Sequence, residues 1–239
     1  MNLEFIPVKT RIVNPPKDEI WDIIDSLKIE DGDIIFITSK ILSIHQGRTV
    51  KITSETTKEE LAKRESERFL HYQNESEGFS ANITITDNNL ILSAGIDASN
   101  AADHYVLWPK DVDELCKEIR EHIINKTGVK NLGVVATDSH SSPLRLGVTG
   151  FTIGLSGVNP LSDIRGKKDL FGRKLHITMV NEIDPLTSMA VLLMGESSEC
   201  TPIVILRNYR KIKFNKNASM KDLKVSPEQD IYAPLLKII

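Results

Sequence analysis

Apolar residues in this chain recur at two spacings. After the Asn14-Pro15-Pro16 punctuation, Ile20, Trp21, Ile23, Ile24 and Leu27 fall three and four apart, which predicts a helix. The clearest helix is 111–126: Val112, Leu115, Cys116, Ile119 and Ile123 share one face, and Gly128 sits where a C-terminal cap would fall. Residues 58–72 are charged with a thin stripe of Leu61, Phe69 and Tyr72, read as a surface helix, and 185–193 reads as another helix. Short apolar runs at 33–38 (DIIFIT) and 132–137 predict buried strands, and 3–8, 175–183 and 202–207 read as further strands. Residues 80–93 look like a hairpin turning at Asp87-Asn88-Asn89. The chain closes on Leu235-Leu236-Lys237-Ile238-Ile239, a strand or a docking tail. Strands and helices alternate irregularly and some strands pair as hairpins. That favours an α+β fold, with a mixed, largely antiparallel sheet and packed helices, over a regular βαβ array. No repeat or linker breaks the pattern, so residues 1–239 are expected to form one domain, with 208–239 a polar extension of it.

Composition narrows the choice. With 239 residues, 40% of them hydrophobic, the chain has enough apolar mass for a sizeable core. Thirty basic against 33 acidic residues leave a net charge of −3, which disfavours a general nucleic-acid binder. Arg207, Arg210, Lys211, Lys213 and Lys216, interleaved with Tyr209 and Phe214, form too short a basic cluster to reverse that. No run reaches the ~20 apolar residues of a membrane helix, and the N-terminus lacks a signal-peptide pattern. Cys116 and Cys200 stand alone, far apart in the chain. The expectation is a reduced, cytoplasmic protein with neither nucleic acid nor membrane as partner.

Three carboxylates lie at the edges of apolar elements beside small residues: Asp97 within SAGIDASN, Asp138 directly after a strand, and Glu196 after Met194-Gly195. Rigid elements often aim active groups from such ends, and hard oxygen ligands suit magnesium or manganese. Taken singly, an Asp after a strand caps a turn more often than it binds a metal, so only convergence in space would make a site. The glycines of RLGVTGFTIGLSG fall three and four apart, which would put them on one packed side of a helix. No GxxxxGK[ST] or GxGxxG occurs, so phosphates would need another cradle. Ser39-Lys40 at a strand end and the small, polar MGESSECT at 194–201 are candidates. The charged run from Asp163 to Arg173 suits an anionic substrate or a solvated loop about equally. The histidines show neither HxH nor HExxH, and no GxSxG elbow exists.

FIPVK, SKILSIHQGR (39–48), SAGIDASN (93–100), VVATDS (134–139), GVTGFTIGLSGV, RGKKDLFGRKL (165–175) and LLMGE (192–196) together resemble the coenzyme F420-0:γ-glutamyl ligase family over nearly the whole chain. The resemblance implies a γ-glutamyl-ligase-type fold in an interlocked homodimer. It also implies GTP (or ATP) as co-substrate and two Mg²⁺ or Mn²⁺ ions. The reaction it implies joins L-glutamate to an acceptor carboxylate through an acyl phosphate. Carried over residue by residue, Asp97, Asp138, Ser139 and Glu196 match metal positions, and Asp97, Asp138 and Glu196 are taken as catalytic. Arg11, Ile12, Val13, Asn14, Ser39, Lys40 and Asn100 match nucleotide positions. So do Met194, Gly195, Glu196, Ser197, Ser198, Glu199, Cys200 and Thr201. Two departures stand out. Ile44 replaces a family lysine, and Ser141-Ser142-Pro143-Leu144-Arg145 replaces the usual Gly-Arg, Pro, aromatic, Arg. Pro143 and Arg145 are taken as acceptor contacts. The form TDSxxxPLRxGVTG looks like a branch that lengthens the folate γ-glutamyl tail, so folate is expected over F420-0 as acceptor. A catalytically silent nucleotide-binding relative is the other reading.

Overall fold

In the computed structural model, residues 2–76 and 78–238 are described; Ile239, the last residue of the predicted tail, lies outside them. The first elements are strand β1 (Glu4–Val8), helix α1 (Trp21–Ser26), strand β2 (Asp33–Thr38) and helix α2 (Ser39–His45). Strand β3 (Thr49–Lys51), helix α3 (Lys58–Glu65) and strands β4 (Arg68–Asn74), β5 (Phe79–Thr86) and β6 (Asn89–Leu92) follow. Next come β7 (His104–Val106), α4 (Val112–Thr127), β8 (Leu132–Ser141), β9 (Val148–Val158) and β10 (Leu161–Asp163). The chain ends through β11 (Met179–Asn181), α5 (Ile183–Met194), β12 (Ile203–Arg207), β13 (Phe214–Asn215) and α6 (Ala233–Leu236).

The central sheet has six strands in the order β1-β12-β2-β8-β9-β13. Within it β2 and β8 pair in parallel, and the other neighbours are antiparallel. The fold is thus α+β with a largely antiparallel mixed sheet and packed helices, as the pattern predicts. Successive side chains of a strand point to opposite faces, so β2 serves two cores at once. Ile35 and Ile37 pack with Ile23, Leu42 and Ile119 on one side, and Ile34 and Phe36 pack with Ile183, Ala190 and Met220 on the other. Burial on both faces is why DIIFIT reads as an unbroken apolar run.

Several elements differ from expectation. Helix α3 ends at Glu65 because Ser66 turns extended, and Phe69 and Tyr72 then pair across to Thr84 and Ala81 in a strand, not along a helix. The glycine-rich stretch is strand β9. Ile153 is an extra residue there, since Ala136 pairs with Gly154 while Thr137 pairs with Thr152. Such a bulge switches the faces. A Cβ at Gly150 would meet Val191 of α5 at 2.6 Å, and one at Gly154 would meet Val112 of α4 at 2.4 Å. The glycines do serve close packing, but from a strand and toward opposite layers. The strand predicted at 175–183 shrinks to β11, and α5 starts at Ile183 with Pro185 inside its first turn, where a missing N–H costs nothing. Residues 235 and 236 belong to the short helix α6 rather than a strand, and that helix buries no side chain. Ahead of it, Ala218 and Met220 enter the second core, and Lys224 binds Asp87.

Candidate functional site

The carboxyl ends of the parallel pair lie side by side, with Thr38 in register with Thr137. Crevices outside such strand ends are where open α/β sheets place ligands. Here the next residues are Ser39 and Lys40 on one strand and Asp138 and Ser139 on the other. A cleft of about 470 Å³ opens at this point. Asp97 enters it from the turn after Ser93–Gly95, Glu196 from the C-terminal end of α5, and Asn100 from the loop beyond Asp97.

Each segment is fixed by local bonds. Asp97 is pinned at the backbone, donating to Val106 O at 3.1 Å and accepting from Val106 N at 2.8 Å. Ser93, Ala94 and Asn100 sit at φ 49°, 53° and 52°, left-handed values that non-glycine residues adopt only under constraint. Gly95 is required beside them, since a Cβ there would lie 2.3 Å from the Trp108 ring. The 194–201 loop closes on itself. Thr201 Oγ1 donates to Met194 O at 2.6 Å, and Ser197 N donates to the Glu199 carboxylate at 2.9 Å. Asn100 Nδ2 ties the loop across the cleft, donating to Ser197 O at 2.7 Å. Thr10 N donates to Cys200 O at 3.0 Å, which joins the same loop to the segment beginning at Arg11.

Charges within the cleft are strongly coupled. Burial pushes the Asp97 carboxyl up, but the Lys40 ammonium and the Ser99 hydroxyl and N–H outweigh it and hold it at about 2. Lys40 Nζ stands 2.6 Å from Asp97 Oδ2. For Asp138, burial dominates and raises the carboxyl to about 7, with the negative charge of Asp97 adding and the Ser139 N–H and nearby Ser39 hydroxyl opposing. Glu196 is also raised, by burial first, with Asp97 and Glu199 adding and Lys40 and the Ser139 hydroxyl opposing. The three carboxylates singled out in the sequence therefore share one electrostatic environment.

The donor set suits a hard divalent cation. Asp97, Asp138, Glu196 and Glu199 line the cleft with the Ser39 and Ser139 hydroxyls, against the cations Arg11 and Lys40. Among the described residues, however, no three His, Cys, Asp or Glu side chains are grouped closely enough to hold a metal ion. The type of donor fits; the spacing needs an adjustment before one ion is shared.

Of the nucleotide candidates, Arg11, Ile12, Val13, Ser39, Lys40, Asn100 and residues 194–201 all line the cleft. Asn14 does not; its N–H donates to Asp18 Oδ2 at 2.9 Å. The Arg11 guanidinium is spent on Asp18 and Asp22, both at 2.7 Å, so its side chain braces the loop. Ile44 lines the cleft and leaves an apolar wall at the position noted in the sequence as a departure from the family lysine. Pro143 and Arg145 lie outside it, in the exposed connection between β8 and β9. Arg165 in the charged run pairs with Asp163 at 2.6 Å. Sequence reasoning missed Ser99, Gly95 and Trp108 as site residues. The first two sit within SAGIDASN, where Asp97 drew the attention; nothing local marks Trp108.

Comparison with known proteins completes the picture. An α+β enzyme with an acidic cleft at the ends of parallel strands is the class that fold and site delimit, and that enzyme is an amide-forming ligase. The chain belongs to the F420-0:gamma-glutamyl ligase family, whose model matches residues 7–208. A protein named coenzyme F420:L-glutamate ligase from Archaeoglobus fulgidus is 32% identical over 250 aligned residues, covering 99% of each chain. Its namesake from Methanocaldococcus jannaschii is 35% identical over 223 residues, 88% of each. The Methanopyrus kandleri protein of that name is 32% identical over 97% of each. No helix among the described residues is long and apolar enough to cross a membrane.

Proposed function

We propose that this chain uses a nucleoside triphosphate and divalent cations to join L-glutamate to the terminal carboxylate of F420-0. The observation that carries the reading is the convergence on one cleft of Asp97, Asp138 and Glu196 with Ser39-Lys40, Asn100 and the 194–201 loop. The names of the relatives support F420-0 as acceptor. The Ser141–Arg145 departure favours folate as a second reading, and both acceptors end in a carboxylate of the same reactivity.

A carboxylate resists attack by an amine until one of its oxygens becomes a leaving group. In the proposed sequence that oxygen attacks the terminal phosphorus of the nucleotide, the bridging P–O bond breaks, and nucleoside diphosphate leaves. The glutamate amine then attacks the acyl carbon, and inorganic phosphate departs with the former carboxylate oxygen. Divalent cations held by Asp97, Asp138, Ser139 and Glu196 would supply neutralisation of the phosphoryl charge. The protein's own task is positioning. The 194–201 loop and the Ser39-Lys40 corner face the polyphosphate, with Lys40 as its cation. Asn100, bonded to Ser197, fixes the width of the cleft. The proton the attacking amine must lose passes to solvent or to a nearby carboxylate that holds no cation.

A second copy of the chain is part of the same reading. Leu146, Leu170 and Phe171 are 104%, 98% and 96% exposed, and Ile177 and Leu192 are exposed as well. Large apolar side chains this fully exposed are candidates for an interaction face, which supports the interlocked homodimer.

The test is incubation of the purified protein with GTP or ATP, Mg²⁺ or Mn²⁺, L-glutamate, and either F420-0 or a folate, followed by mass spectrometry. The expected result is phosphate release that requires both glutamate and F420-0, with a glutamyl-extended product. Extension of folate alone would transfer the reading to the second acceptor. Nucleotide binding without product from either would mark a silent relative.

A further inference from the structure

We propose that Lys40 and Ser99 form a built-in counter-ion clamp on Asp97, which occupies that carboxylate until a divalent cation displaces the ammonium. The proposal rests on the ligase reading above and adds Ser99 as a positioning residue. Every donor of the ammonium is used: Lys40 Nζ donates to Asp97 Oδ2 at 2.6 Å, to Ser99 O at 2.7 Å and to Ser99 Oγ at 2.9 Å. Ser99 Oγ in turn donates to Asp97 Oδ2 at 2.6 Å, and Ser99 N donates to Oδ1 at 2.9 Å. Oδ2 therefore carries two donors and Oδ1 one, so a cation takes Oδ2 by displacing the Lys40 ammonium or the Ser99 hydroxyl, and of the two only the ammonium repels it.

Displacement is built to be easy. The Asp97 backbone is bridged to Val106 and stays put, while the lysine stem is unbranched and flexible. The released ammonium remains beside Asp138 and Glu196, whose acidity its charge already affects, at the place proposed for the polyphosphate. Asp97 shares the cleft with Asp138, Glu196 and Glu199. With one of them neutralised by Lys40, the acidic cleft is stable without a cation, and arrival of cation and nucleotide together exchanges one ion pair for two.

The test uses the full chain and Mn²⁺ alone, without nucleotide, with free Mn²⁺ followed by electron paramagnetic resonance. Lys40→Met removes the competing cation, and about tenfold tighter Mn²⁺ binding is expected, the worth of one charge-assisted hydrogen-bond set. Ser99→Ala leaves the net charge unchanged while loosening the clamp, and a gain of about threefold is expected. Adding Asp97→Asn to Lys40→Met should cancel the gain. Circular dichroism checks that each variant is folded. On the unaltered protein, acetylation of Lys40 read by mass spectrometry should quicken when Mn²⁺ is added. Folded Lys40→Met with wild-type Mn²⁺ affinity overturns the clamp, as does a gain that survives Asp97→Asn. Ser99→Ala matching wild type also overturns it, reducing any Lys40 effect to net charge. If Mn²⁺ binds equally well to all, the clamp alone fails. If Mn²⁺ binds to none of them even with GTP present, the metal-dependent ligase reading fails with it.

Discussion

Asp138 shows how one residue is tuned by its place. It follows the last in-register residue of a buried parallel pair, so its carboxyl is stripped of water, and the Ser139 N–H, the Ser39 hydroxyl and the Lys40 charge do not make up for that loss. Its carboxyl titrates at about 7 in the fold against 3.8 ordinarily. A folded value above the unfolded one means stability that is fully present below pH ~4 and is lost as pH rises toward 7, because the unfolded chain ionises first. Asp138→Asn removes that loss. In metal-free protein it should be more stable than wild type at pH 8 by about 4 kcal/mol, with the advantage shrinking toward pH 4. Urea unfolding at both pH values, in the presence of a chelator, measures this; parallel pH dependence in the two proteins would contradict it. The same variant should lose most of its turnover, since its amide brings no charge to a divalent cation.

At the scale of elements, periodicity was informative where one layer of packing decides the pattern. Helix α4 shows a single apolar stripe and lies where its spacing puts it. Helix α2 was not read from the sequence because its seven residues show only Ile41, Leu42 and Ile44 as apolar positions, too short a stretch for a helical stripe to stand out beyond the polar Thr38-Ser39-Lys40 junction. Strand β4 was misread because charged residues carry on past Glu65 and a stripe of Leu61, Phe69 and Tyr72 is compatible with a helix until the hairpin partner is known. In β9 the bulge at Ile153 makes glycines three and four apart serve two layers, which imitates a helical face. The site followed the same logic. Asp97, Asp138 and Glu196 were legible because element ends are visible in sequence. Ser99, Gly95 and Trp108 were not, since their roles rest on contacts with Lys40 and with one another across the chain.

The whole molecule joins these parts through one parallel pair set in an otherwise antiparallel sheet. That single parallel step brings two strand ends to the same edge, and the cleft is built there. The connection between β10 and β11 is charged but exposes Leu170 and Phe171 almost fully, and its partner is proposed to be a second copy. Phe171→Asp should shift a dimer toward monomer in light scattering; an unchanged dimer would place the interface elsewhere. The chemistry itself is tested most directly with an acceptor whose terminal carboxylate carries ¹⁸O. One labelled oxygen should appear in the released inorganic phosphate for each glutamate joined. Amide formation that releases only unlabelled phosphate would contradict activation through an acyl phosphate.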